Sequence, residues 1–100
     1  MTGCLYKLEG ETAVLCADSL EWAAWLETAD RHVASEYVGK VLVSTVFLGL
    51  NHRHRNGEPL LFETLVLGGT LDDEQERYPT WGKAEAGHKR MVQKVREVPS

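Results

Sequence analysis

The chain has 100 residues, 43% of them apolar, with 11 basic and 15 acidic side chains and a net charge of −4. That length makes one small domain and leaves no room for a second. The acidic balance disfavours a general nucleic-acid binder, and no apolar run reaches the roughly 20 residues of a membrane-spanning helix.

The N-terminal segment MTGCLYKLEGE lacks the basic segment, apolar core and small-residue cleavage site of a secretory signal, so a cytoplasmic protein is expected. From Leu5 to Cys16 the residues suggest a short hairpin turning at Gly10. It brings Cys4 and Cys16 near each other, and in a reducing compartment these read as two small, half-buried thiols, with a disulfide or part of a metal site as the alternative.

Asp18 is a helix cap with Glu21 three residues on, and Leu20, Trp22, Trp25, Leu26, Ala29, Val33 and Tyr37 recur at helical spacing. A first helix over about 19–38 is expected, closed by Gly39. Val41 to Leu50 and Leu60 to Gly69 are rich in Val, Leu, Phe and Thr around the turn residues Asn56, Gly57 and Pro59, which predicts a central antiparallel β-hairpin, about 41–50 and 59–69. With Leu50 opposite Pro59, one face carries Leu42, Ser44, Val46, Leu48, Leu61, Glu63, Leu65 and Leu67. The other carries Val41, Val43, Thr45, Phe47, Leu60, Phe62, Thr64 and Val66. Both faces are apolar, so each needs a cover.

An acidic turn at Asp72–Glu76 precedes a short strand at Arg77–Tyr78, and Thr80 caps a second helix over about 81–97 with Ala84, Gly87, Met91, Val95 and Val98 on its apolar face. The basic residues Lys83, Lys89, Arg90, Lys94 and Arg96 give this end of the chain a capacity for anions. The expected fold is α+β: a small antiparallel sheet and two helices. Either the helices take one sheet face each, or both share one face and a second subunit covers the other; a homo-oligomer is the favoured outcome.

The loop Asn51-His52-Arg53-His54-Arg55-Asn56-Gly57 holds the most unusual chemistry. Two guanidiniums in a glycine-containing turn suit bidentate hydrogen bonds to a phosphate. His52 and His54, two residues apart, would point the same way, but the neighbouring sequence offers no third ligand, so no metal is expected and no cofactor either. The bland alternative is a solvated hairpin tip. Glu63 interrupts an apolar strand and must be paired, hydrogen-bonded or at an interface. An ion pair with Arg31, His32 or a C-terminal cation is its simplest role, and a pocket lined with Ser44, Thr45 and Thr64 is the sharper one. Trp22 and Trp25 read as core packing, with base stacking as the rival. His32 and His88 read as packing histidines. The nucleophile-elbow, phosphate-loop, dinucleotide and zinc-protease motifs are absent, and neither cysteine has basic context to lower its pKa, so an enzyme is the poorer expectation.

The segments VSTVFLGLNH at 43–52 and PLLFETLVLGG at 59–69 combine with Trp22-x-x-Trp25, Asp30-Arg31-His32-Val33-Ala34 and Ala86-Gly87-His88 into a wider pattern. It resembles a family of small, mostly uncharacterised tailed-phage and prophage proteins, over about residues 20–97. The resemblance transfers no catalytic residue; His52, Glu63 and Thr64 are the matched polar positions, whereas Asn51, Arg53, His54 and Arg55 depart from the family's loop. It implies a protein acting in the host cytoplasm. The resulting expectation is a non-enzymatic oligomer that sequesters a small anionic, nucleotide-like ligand such as a cyclic nucleotide immune signal, using His52, Arg53, Arg55, Glu63, Thr64, Trp22 and Trp25. A protein-interaction module docking through an apolar sheet face is the first rival, and a phosphodiesterase-like enzyme using His52 with Glu63 or His54 the second.

Overall fold

The computed structural model describes residues 4–51 and 58–98. The chain opens with a hairpin of β1 (Tyr6–Glu9) and β2 (Thr12–Leu15), paired from Tyr6↔Leu15 to Glu9↔Thr12 around the turn at Gly10. Helix α1 (Ser19–Thr28) follows. The Asp18 side chain accepts the backbone N–H groups of Leu20 and Glu21, two of the donors a helix start leaves unpaired. Lys7 of β1 ties the hairpin to α1 through Glu21 at 2.5 Å.

The helix expected over about 19–38 ends at Thr28, and residues 32–38 form a strand instead. The Asp30 carboxylate accepts the N–H of His32 at 3.1 Å, an Asx turn that offers the backbone an alternative to helix continuation. Beyond it, β3 (His32–Val38) turns at Gly39, whose φ of +61° an L side chain rarely adopts, and pairs antiparallel with β4 (Val41–Phe47). A β-bulge between His32 and Ala34 lets Val33 join the aromatic cluster around Phe47.

The central hairpin has the expected register. β4 pairs with β5 (Phe62–Leu67) from Leu42↔Leu67 to Phe47↔Phe62. A fourth strand, β6 (Gln75–Tyr78), extends the expected Arg77–Tyr78 segment and completes the antiparallel order β3-β4-β5-β6. Helix α2 (Trp81–Glu97) is capped by the Thr80 hydroxyl, which accepts the N–H of Lys83.

Helix α2 lies on the face that bears Val43, Thr45, Phe47, Phe62, Thr64 and Val66, all at most 1% exposed. Two apolar clusters form there: Val41, Val43 and Val66 against Met91, Val92 and Val95, and Phe47, Leu61, Phe62 and Tyr78 against Ala84. Trp25 of α1, with Tyr6, Leu8 and Ala13 of the hairpin, packs on the second cluster from the same side. Both helices therefore share one sheet face. The outer edge of α2 is held electrostatically, with Glu74, just before β6, and Glu76 of β6 paired with Lys94 and Arg90, and the buried His88 ring makes a hydrogen bond with Glu36 of β3.

Candidate interaction face and the buried polar chain

The face of the sheet turned away from α2 holds Tyr37, Leu42 and Leu67 in one row; Ser35, Ser44, Leu65 and Gln75 in the next; and His32, Val46, Glu63 and Arg77 in a third. Strand alternation assigns these residues to one side, because successive side chains point to opposite faces. Their burial agrees: β4 alternates between buried and half-buried residues along its whole length. Leu67 is 41% and Tyr37 71% exposed. The first row is apolar, and the other two set Leu65 and Val46 among polar side chains.

Glu63 sits in this face and is neutralised by Arg77, its cross-strand neighbour, at 3.0 Å. The ion pair expected for Glu63 is present, but with the residue opposite it in β6 rather than with Arg31, His32 or a cation of the second helix. Arg77 is not evident as this partner in sequence, because the contact depends on the register of β5 against β6. The expected pocket of Glu63 with Ser44, Thr45 and Thr64 does not form. Glu63 and Ser44 belong to the open face, while Thr45 and Thr64 lie under α2.

Thr64 instead belongs to a hydrogen-bond chain through the core. The Tyr78 hydroxyl donates to Thr64 Oγ1 at 3.0 Å, the Thr64 and Thr45 hydroxyls are 2.5 Å apart, and Thr45 Oγ1 lies 2.7 Å from His88 Nδ1. His88 Nε2 reaches Glu36 Oε1 at 3.1 Å. These groups form a polar layer between the two apolar clusters, and each finds the partner a buried polar group needs. Burial pushes the Tyr78 hydroxyl up to about 12; the Thr64 hydrogen bond opposes the shift, and the neighbouring Glu76 carboxylate adds to it. The order carboxylate, imidazole, hydroxyl along Glu36, His88 and Thr45 has the connectivity of a catalytic triad. Thr45 is fully buried, however, so no substrate can reach its oxygen. The arrangement positions α2 on the sheet. His88 was expected to be a packing histidine; its polar partners were hidden because Glu36 had been assigned to a helix.

Trp22 and Trp25 occupy the other end of the molecule. Trp22 Nε1 donates to the carbonyls of Tyr6 and Gly49 at 3.0 and 3.1 Å, tying α1 to the hairpin and to the end of β4. Trp25 meets Phe47 edge to face with ring centroids 5.9 Å apart. Both are committed to packing and are not brought near Glu63 or Thr64. His52, Arg53, His54 and Arg55 lie outside the described residues. Cys4 and Cys16 are both free thiols, and Cys16 is buried with its N–H on the Leu5 carbonyl.

Three of the surface clefts among the described residues border this arrangement. The first, about 420 Å³, lies between the β1–β2 turn and the start of α2, lined by Glu11, Thr12, Phe62 and Trp81. The second is lined by Ala29, Asp30, Arg31, His32 and Val46. There the His32 backbone N–H, and then its ring, hold the Asp30 carboxyl below its ordinary value. The third lies along the Glu74, Glu76, Arg90 and Lys94 ion pairs. At the anion-attracting end expected from the second helix, Lys94, Arg90 and Lys83 face Glu74, Glu76 and Glu58. Among the described residues no group of three His, Cys, Asp or Glu side chains could hold a metal ion, and no helix is long and apolar enough to cross a membrane. Comparison of the chain with protein-family models, curated proteins and solved structures returned no match.

Proposed function

We propose that this chain is a non-catalytic interaction module whose open sheet face packs against the same face of a second copy. The observation that carries the reading is the one-sided cover: α1, α2 and the β1–β2 hairpin all pack on one side of the sheet, leaving Leu42, Leu65, Leu67, Val46 and Tyr37 on the other. Charge favours a copy of the chain as occupant. The whole molecule carries −4, and two copies would repel through most of their surface, yet the open face carries a single acid, Glu63, already paired with Arg77. A paired charge is also far cheaper to cover than a lone one.

Size sets the expected strength. Four strands about 4.8 Å apart and about six residues long give a footprint of about 400 Å², so two copies bury roughly 800 Å², the size of a weak, transient interface. The dimer should therefore be reversible, with a dissociation constant on the order of micromolar. Sedimentation velocity on the wild type and on Leu67→Asp tests this. Leu67 is exposed in the monomer, so the variant folds, and the faster-sedimenting species should disappear. Equal sedimentation of both proteins contradicts the reading.

A second reading rests on sequence alone. Arg53 and Arg55, with His52, suit an anionic, nucleotide-like ligand such as a cyclic nucleotide, and the resemblance to tailed-phage proteins would make its capture an anti-defence activity in the host cytoplasm. What favours the loop over the second helix as its location is that Arg90 and Lys94 are engaged by Glu76 and Glu74. Calorimetry with cyclic dinucleotides would show heat that Arg53→Ala and Arg55→Ala weaken by about 1–3 kcal/mol each; silence across the panel removes this reading.

A further inference from the structure

We infer that the buried polar chain is a reversible hydrogen-bond wire that lets the core accept a proton on His88 without stranding any polar group. With His88 neutral and its proton on Nε2, the donors run in one direction: Tyr78 to Thr64, Thr64 to Thr45, Thr45 to Nδ1, and Nε2–H to Glu36. Each hydroxyl gives one hydrogen bond and each internal one also receives one.

Protonating His88 turns Nδ1 from acceptor into donor. Thr45 must then donate to Thr64, and Thr64 must donate onward. The chain supplies an acceptor for every step, because the Tyr78 oxygen can receive the Thr64 proton and the Tyr78 hydroxyl can turn to Glu76, which stands opposite Thr64 on β6 and shares its strand face with Tyr78. The incoming proton is the only one added, and each of the three hydroxyls keeps its own hydrogen by rotating about its C–O bond. The wire thus runs from Glu36 on edge strand β3 to Glu76 on edge strand β6, crossing all four strands. Burial makes this matter: Thr45 and Thr64 are 0% and His88 2% exposed, so water is not at hand to repair a broken link.

The charged and titratable groups facing His88 through this network are Glu36 from β3, Tyr78 and Glu76 from β6, and Arg90 of its own helix through Glu76. β4 and β5 contribute only the hydroxyls of Thr45 and Thr64. Removing the Tyr78 hydroxyl has an asymmetric effect. In the neutral arrangement Thr64 loses one incoming bond; in the reversed arrangement its proton has no acceptor.

The test compares Tyr78→Phe with the wild type at pH 8 and pH 5. Surface groups titrate in both proteins and cancel in the difference. The variant should lower Tm by at least about 4 °C more at pH 5 than at pH 8. A Tm decrement that is the same at both pH values overturns the wire. An NMR titration of the wild type, which does not depend on the variant folding, gives the second readout. At pH 8 the His88 ring nitrogens should show Nε2 protonated and Nδ1 bare, and on acidification Thr64 and Tyr78, which do not touch the ring, should change with the midpoint of His88. The opposite tautomer, a His88 still neutral at pH 5, or Thr64 and Tyr78 signals that ignore His88 each contradict the proposal.

Discussion

Gly87 shows how tightly single residues are constrained in this fold. A Cβ built there falls 2.2–2.4 Å from the Tyr78 ring, so the absence of a side chain is what lets the phenol lie against α2 and reach Thr64. Gly87→Ala should therefore destabilise the protein despite its better helix propensity, by about 1–3 kcal/mol for an overpacked core; a denaturant midpoint at or above the wild type's would refute the packing account. Thr45→Val removes the partner of His88 Nδ1 while keeping shape, and leaving a buried polar atom unmatched should cost about 1–3 kcal/mol, read from the same unfolding curves. Tyr78 adds a pH signature. Its folded value of about 12 lies above the ordinary 10, so its hydroxyl form is favoured by folding: the contribution is complete below pH 10 and is lost as pH climbs from 10 towards about 12. Tyr78→Phe should lack that alkaline loss, which equilibrium unfolding from pH 9 to pH 12 would measure. None of these residues announces its role in sequence. Gly87 looks like one small position on a sparse apolar stripe, and the Thr45–His88 contact joins residues 43 positions apart.

Among the elements, the β4–β5 register was legible and the α1–β3 boundary was not, for different physical reasons. Two strongly β-forming runs around a turn-rich segment have few ways to pair, and Leu42 opposite Leu67 follows directly. Val33 and Tyr37 happen to continue the helical spacing of Trp22, Trp25 and Ala29, so period alone extended the helix through a segment that is a strand. The deciding signals were local: Asp30 capturing the N–H of His32, β-branched and aromatic residues at Val33, Tyr37 and Val38, and a two-residue Gly39-Lys40 turn into β4. That error hid the third strand and with it Glu36, the partner of His88. Thr80 was legible as the cap of α2, and Thr80→Ala should lower stability by about 1 kcal/mol through the lost bond to the Lys83 N–H. Chemical denaturation measures it, and no change would mean that the helix start is satisfied another way.

At the scale of the whole molecule, the described residues form a sheet whose helices cover one face. The pair of apolar faces was readable from the alternation of β4 and β5, and the choice left open by two helices was whether they would divide those faces between them. They do not: Trp25 of α1 and Ala84 of α2 converge on the same Phe47–Phe62 cluster, so neither helix covers the opposite rows. Residues 52–57 of the loop that looked most chemical in sequence lie outside the described residues, and Glu63 matters chiefly as half of the pair that keeps the open face neutral. The most direct test is the mass of the wild-type protein by light scattering from about 1 to about 300 μM, a range that spans a micromolar equilibrium. The account predicts a mass that rises from the 11.2 kDa of one chain towards twice that value. A mass fixed at 11.2 kDa across the whole range would contradict it.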